Sequence, residues 1–173
     1  MRRIALALFV ALFVLTAAAA PRTASAAPLD ELNRFVGTWQ SQGTFVETPY
    51  HAAGAATATT TCAWSVDGAF MICQQSVTIN GTHDNELGIY TYDPATSSYR
   101  FYVVRPSQTT SETIAIAGNT IAYPYSFDDN GKAVTIRTLN IWQSADLYNW
   151  RTEYSADGGA TWTLMASGTS QRR

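Results

Sequence analysis

From Gly37 to its C-terminus, the chain is a succession of short segments rich in Thr, Val, Ile, Tyr, Phe and Trp. Such segments are typical of β-strands, because β-branched and aromatic side chains fit a pleated surface. Asn80-Gly81, Asn130-Gly131 and Asp157-Gly158-Gly159 separate some of them and supply the backbone angles that tight hairpins need. No later stretch has helical periodicity, so the connections are local and the strands antiparallel. The segments that the pattern assigns to strands are residues 37–47, 55–66, 69–80, 85–93, 98–105, 110–117, 120–127, 132–143, 148–155 and 160–169.

These segments predict an all-β fold, an antiparallel meander barrel of about ten strands, with a short helix at residues 29–35 before it. A barrel of this size either fills with side chains or keeps a small-ligand cavity. Alternation places Tyr123 and Tyr125 on one strand face and Trp150 on another largely aromatic face. An aromatic interior with a few polar groups fits a ligand cavity. It fits equally well a packed core whose tyrosines find hydrogen-bond partners.

Two mid-strand arginines, Arg137 and Arg151, are further candidates for ligand binding. Arg137 shares its strand face with Leu139 and Ile141, so that face is otherwise apolar. Inside a barrel, a guanidinium would anchor a carboxylate or phosphate through its fork of donors. On the outer face, the same side chain would lay its apolar stem on the sheet and keep its charge in water.

The N-terminal segment predicts export. Arg2 and Arg3 precede an apolar run at residues 4–15, and Ala24-Ser25-Ala26 is a small-residue cleavage site. This is the pattern of a secretory signal peptide, which we assign to residues 1–26. Residues 27–173 are then one domain of a secreted or periplasmic protein.

Charge excludes several classes of partner. The chain has 11 basic and 13 acidic residues, and cleavage would remove three arginines and no acid, so the mature chain would carry about −5. Nucleic-acid and anionic-membrane binding both need clustered Lys and Arg, and this chain has one lysine, Lys132. We expect a small-molecule partner instead.

The two cysteines, Cys62 and Cys73, flank a hairpin signal. Asp67-Gly68 lies between two strand segments, and Asp-Gly is a strong two-residue turn signal. With these two residues as the loop, Cys62 falls directly opposite Cys73, within reach of a disulfide. An exported protein meets an oxidising compartment, which favours closing that bond.

Catalytic and metal chemistry have weaker support. The two histidines, His51 and His83, fall in loops without ligands at metal spacing, and no Gly-x-Ser-x-Gly elbow occurs. Glu112 and Glu153 lie on strands, and an acid–base enzyme would need one of them buried with a raised pKa. We assign no catalytic residue, metal ligand or cofactor from the sequence.

Four motifs, in order, resemble the lipocalin-like (calycin) barrels, including nitrobindin and uncharacterised bacterial lipocalin-like domains. They are Leu32-x-x-Phe35-Val36-Gly37-Thr38-Trp39, Thr38-Trp39-x-x-x-Gly43, Gly88-Ile89-Tyr90-Thr91-Tyr92-Asp93-Pro94 followed by Tyr99, and Ser155-x-Asp157-Gly158-Gly159-x-Thr161-Trp162. The resemblance implies a ten-stranded barrel closed at one end by the N-terminal helix. It also implies that Trp39, after Gly37, packs near an arginine of the last strand, Arg172 or Arg173.

The resemblance does not extend to haem binding. The haem ligand of nitrobindin is a histidine near the penultimate strands, and residues 146–162 contain none. The leading hypothesis is a secreted barrel that binds a small apolar or amphipathic ligand in its interior. The alternatives are an enzyme with acid–base groups in the cavity and an inhibitor or interaction protein that acts through its loops.

Overall fold

The structure, a computed structural model, describes residues 27–173; the predicted signal peptide, residues 1–26, lies outside the described residues. A helical turn, α1 (Ala27–Asp30), continues as a 3-10 helix (Glu31–Phe35), and ten strands follow. The strands are β1 (Gly37–Phe45), β2 (Gly54–Trp64), β3 (Met71–Ile79), β4 (Thr82–Asp93), β5 (Ser98–Arg105), β6 (Gln108–Ala117), β7 (Thr120–Asp129), β8 (Lys132–Ser144), β9 (Leu147–Ser155) and β10 (Thr163–Arg172). Over the described part of the chain, no helix is long and apolar enough to cross a membrane.

The ten strands form one closed antiparallel barrel, which confirms the predicted fold. Each strand pairs with its neighbours in sequence, and β1 closes the barrel by pairing with β10. β10 begins at Thr163, three residues later than predicted, because the turn before it takes up more of the chain. In that turn the Asp157 carboxylate accepts hydrogen bonds from the backbone N–H and the hydroxyl of Thr161.

The helical segment plugs one end of the barrel. Leu32 and Phe35 are buried there. The Phe35 ring stacks on Tyr90 with centroids 5.1 Å apart and meets Trp142 edge-on at 4.9 Å. Aromatic pairs in these geometries stabilise beyond their area burial alone. This end of the barrel is therefore a packed core, and only the opposite end is open.

Trp39 is buried at the closed end, as predicted, with 1% of its surface exposed. Its indole N–H donates to the Phe35 carbonyl at 2.8 Å, and the Arg172 guanidinium lies over its ring at 4.5 Å from the centroid. Arg172 also donates to the carbonyls of Val36 and Ala145. Gly37 has a φ of +114°, and a Cβ there would press on the Arg172 guanidinium. The last strand is thereby fixed to the segment that leads into the first.

The structure contains the predicted disulfide. Cys62 on β2 lies opposite Cys73 on β3, with Cα atoms 4.0 Å apart, and the two sulfurs are bonded. The predicted two-residue loop is wrong. The loop has four residues, 66–69, and is closed by a backbone hydrogen bond from Ser65 to Phe70 at 2.8 Å. The predicted two-residue loop and the observed four-residue loop have the same centre, between Asp67 and Gly68. The strand register, and with it the cysteine pairing, is therefore the predicted one.

Candidate ligand cavity

A cavity of about 360 Å³ lies inside the barrel, between the core of the closed end and the open rim. Its walls come from inward-facing side chains of β1 to β9, mostly apolar or aromatic. Small-molecule sites have volumes of about 300 to 1,000 Å³ and walls of this kind. The barrel interior is therefore hollow at its centre, which answers the question that the sequence left open.

Three aromatic rings form one wall of the cavity. Phe101 stacks on Tyr90 with centroids 4.4 Å apart and meets Tyr123 edge-on at 5.3 Å. The hydroxyls of Tyr90 and Tyr123 are hydrogen-bonded to each other at 3.2 Å. Burial raises the pKa of both phenols, so they stay neutral at physiological pH. This wall offers ring faces and neutral hydroxyls.

Trp150 forms the opposite wall, seated against two glycines. Gly43 on β1 and Gly168 on β10 face each other in register, and a Cβ on either would overlap the Trp150 ring. The glycines thus leave room for an indole that lies flat on the backbone. Its Nε1–H is buried without a hydrogen-bond partner among residues 27–173. A well-fixed aromatic surface results.

Polar side chains between these walls are paired with one another. Gln75 donates to the Thr60 hydroxyl at 2.8 Å, and the hydroxyls of Ser41 and Ser170 lie 2.7 Å apart. Because these groups form hydrogen bonds with one another, the free energy cost of burying them is small.

Charged side chains occur near the open end. Arg105 on β5 pairs with Glu86 on β4 at 2.7 Å and approaches Asp84 at 3.9 Å. Glu112 on β6 lines the same cavity. Desolvation raises the pKa of its carboxyl, and the positive charge of Arg105 partly opposes that effect. A carboxylate whose ionised form is disfavoured thus borders an otherwise largely apolar space.

Of the two positions that the sequence left open for Arg137 and Arg151, the structure shows the outer face, so their assignment as ligand-binding residues inside the barrel is wrong. Ile136 and Trp150 point inward, so the alternation along β8 and β9 turns both arginines outward. There, both pair with Glu153, Arg137 at 2.8 Å and Arg151 at 3.1 Å. The Arg137 guanidinium also lies over the Trp162 ring, 3.6 Å from its centroid. These charges form an outer-face cluster, which also removes Glu153 from the candidates for cavity chemistry.

Of the five predicted ligand contacts, the cavity brings together Tyr123, Tyr125 and Trp150. Their contact with a ligand remains a prediction. Sequence reasoning missed Glu86 and Arg105 as lining residues. A signal for Arg105 was available, because it is in phase with Phe101 and Val103 on a strand whose inward face is aromatic and aliphatic.

The loop between β1 and β2, residues 46–53, reaches across the open rim. Tyr50 packs edge-on against Phe127 and Tyr154, with centroids 5.5 and 5.0 Å away, and its hydroxyl donates to Asp129 at 3.3 Å. His51 stacks on Phe45 at 3.9 Å. In the part of the chain that the structure describes, no group of three or more His, Cys, Asp and Glu side chains is arranged to hold a metal ion.

Comparisons with known proteins agree on the fold. The family model described as "Protein of unknown function (DUF1579)" matches residues 26–172. A comparison with curated protein sequences gives no match. Rv2717c from M. tuberculosis is similar in structure, with a TM-score of 0.54 and 16% identity over 84% of this chain and 96% of that one. The S-type phycobiliprotein lyase CPES from Guillardia theta has a TM-score of 0.54 and 11% identity over 83% and 90%.

At these identities, the similarity to solved structures establishes the barrel type alone. The predicted relation to lipocalin-like barrels is confirmed at that level, and nothing singles out nitrobindin within it.

Proposed function

The chain belongs to the DUF1579 family of proteins of unknown function, and we propose that it is an exported barrel that binds one small apolar or amphipathic molecule in its interior. The observation that carries this proposal is the cavity of about 360 Å³ between the aromatic wall and Trp150. Filling such a space with apolar side chains would stabilise the fold, because empty volume in a core costs free energy. A barrel whose own side chains leave this space unfilled lacks that stabilisation, which is expected where a ligand occupies the space.

Two observations support the exported state. The pattern of residues 1–26 is that of a signal peptide. The Cys62–Cys73 disulfide also suits an oxidising compartment, since such bonds are rare where glutathione keeps thiols reduced. The phycobiliprotein lyase CPES has a barrel of the same type, which is consistent with a ligand-binding function for this fold.

Binding of the neutral fluorophore N-phenyl-1-naphthylamine tests the proposal, because its emission rises on transfer to an apolar site. Ala56 and Ala55 are neighbours on β2; Ala56 is buried and lines the cavity, whereas Ala55 is exposed on the outer face. We expect saturable binding to the wild type and to Ala55→Phe, and at least tenfold weaker binding to Ala56→Phe, whose new ring fills the cavity. Equal binding to both variants would place the fluorophore outside the barrel and overturn the proposal.

The alternative hypothesis, an enzyme with acid–base groups in the cavity, retains one candidate residue. Glu112 lines the cavity with a raised pKa, but Glu153, Arg137 and Arg151 lie outside. A general acid or base acts on a substrate that a second group orients or activates. Among the described residues that line the cavity, the one cation is Arg105, which Glu86 already engages. Ligand binding is therefore the better-supported function.

A further inference from the structure

The barrel wall is interrupted between β6 and β7. These strands share three register pairs, Ala115–Ala122, Ile116–Ile121 and Ala117–Thr120, all near the closed end. The other neighbouring strands share at least seven pairs each. Residues 108–114 and 123–129 are therefore not paired with each other, and the two strands leave a gap toward the open end. Pro124 lies in the part of β7 that does not pair with β6, as expected of a residue that lacks an N–H for a ladder.

Glu112 lies on the part of β6 that does not pair with β7, and its side chain faces inward. It is two residues from Ile114, which is buried in the core, and it lines the cavity. Within residues 27–173 its carboxylate has no hydrogen bond and no ion pair. An ionised group that is half-buried without a partner is unfavourable, and the raised pKa of Glu112 is consistent with that cost.

Arg105 does not neutralise this end of the cavity. Its guanidinium is already shared by Glu86 at 2.7 Å and Asp84 at 3.9 Å. Asp84, Glu86 and Glu112 thus set three carboxylates against one guanidinium. An anionic ligand at Arg105 would lie beside the carboxylate of Glu86 and near that of Glu112, whereas a cation would find a free carboxylate.

Aromatic side chains lie on the same part of the cavity wall as this carboxylate. Phe101 lies opposite Glu112 in the β5–β6 register, and Tyr90 and Tyr123 pack against Phe101. The faces of aromatic rings attract cations, and desolvated sites strengthen that attraction. A carboxylate opposite an aromatic ring is a combination that recognises an ammonium group together with the apolar body attached to it.

We infer that the interior site takes an amphipathic cation, with its ammonium head at Glu112 beside the gap between β6 and β7 and its apolar part among Phe101, Tyr123 and Trp150. This inference rests on the proposed function and names the ligand class of the same site. The gap gives the ammonium head of the ligand access to water, while the barrel encloses its apolar part.

Three probes with one apolar body and different heads test the inference: naphthylmethylammonium, naphthylmethanol and naphthoate. Their affinities for the folded protein are measured by isothermal titration calorimetry at neutral pH. We expect the cation to bind about tenfold more tightly than the alcohol, and the anion to bind most weakly. In Glu112→Gln, the cation should lose that advantage while the alcohol binds as before.

Glu153→Gln is the matched control, since it removes the same charge from a strand on the outer face; it should leave the order of the three affinities unchanged. Equal affinities for cation and alcohol in the wild type, or tighter binding of naphthoate, would overturn the inference while the proposed function stands. An equal loss of cation affinity in Glu153→Gln would overturn it too, because net charge rather than the site would then be responsible. Failure of all three probes to bind would count against the proposed function as well.

Discussion

Trp39 is the residue on which the closed end depends. It joins three parts of the chain: its indole N–H bonds the end of the helical segment, its ring packs on Tyr148 with centroids 5.0 Å apart, and Arg172 of the last strand covers it. A smaller side chain would leave a space that such surroundings fill only in part. Trp39 therefore has a stabilising role and lies at the floor of the cavity rather than among the proposed head-group contacts.

We predict that Trp39→Ala lowers the free energy of unfolding by about 3 to 5 kcal/mol, as large aromatic truncations in cores do. Urea denaturation monitored by far-UV circular dichroism measures it. Trp162→Ala is the control, because that indole lies on the outer face under Arg137 and its loss should cost about 1 kcal/mol, as a cation–π contact does. If Trp39→Ala costs no more than Trp162→Ala, the closed end is not held in the way described.

At the level of strands and turns, the hairpin between β9 and β10 shows why the chain carries Ser155, Asp157 and Thr161 together. The Ser155 hydroxyl donates to Asp157 at 2.7 Å and accepts from the Gly159 N–H at 2.8 Å. Hydrogen bonds from Thr161 and Ser155 lower the pKa of the Asp157 carboxyl to about 2. The ionised carboxylate thus organises the turn.

This turn should make stability depend on pH. Because the pKa of Asp157 is about 2 in the folded protein and 3.8 as its ordinary value, the folded state binds the proton less readily than the unfolded state. The stabilisation is therefore full above about pH 4 and is lost as pH falls toward 2. We predict that Asp157→Asn lowers the urea midpoint at pH 7 and that its difference from the wild type shrinks over this acid range.

Thr161→Val provides the control, since it removes the hydroxyl that has the largest effect on the Asp157 pKa. It should raise the pKa of Asp157 in the folded protein, so that the loss of stability in acid is smaller and is complete at a higher pH. A wild-type-to-Asn difference that stays constant down to pH 2 would show that the charge of Asp157 does not stabilise the turn.

Strand positions and the cysteine pairing follow from the sequence, because alternation and turn residues are local properties. Which face of each strand points into the barrel is harder to predict from the sequence. Arg137 shares the outer face of β8 with Leu139, which is 8% exposed although it does not point into the barrel. Because β8 has this second apolar face, the sequence is compatible with either position of the arginine. The gap between β6 and β7 has a weak signal in Pro124, but the distance between two strands is a property of the closed barrel and not of either segment.

For the whole molecule, the packed end, the hollow centre and the interrupted wall form one arrangement. The helical plug, Trp39 and Arg172 stabilise one end, and the Cys62–Cys73 disulfide ties β2 to β3 where they line the cavity. The free energy gained there allows the other half to keep an unfilled space, an unpaired carboxylate and two incompletely paired strands. Sites with such local costs are where proteins trade stability for function.

The most direct test of this account is native mass spectrometry of the protein purified from the organism that produces it. The account predicts a species heavier than the chain by one small molecule, which is released on denaturation. The same species should form with Ala55→Phe and be absent with Ala56→Phe, because only the second variant fills the cavity. A bare chain in all three preparations, or a bound molecule that persists in Ala56→Phe, would contradict the claim that the barrel interior is a binding site.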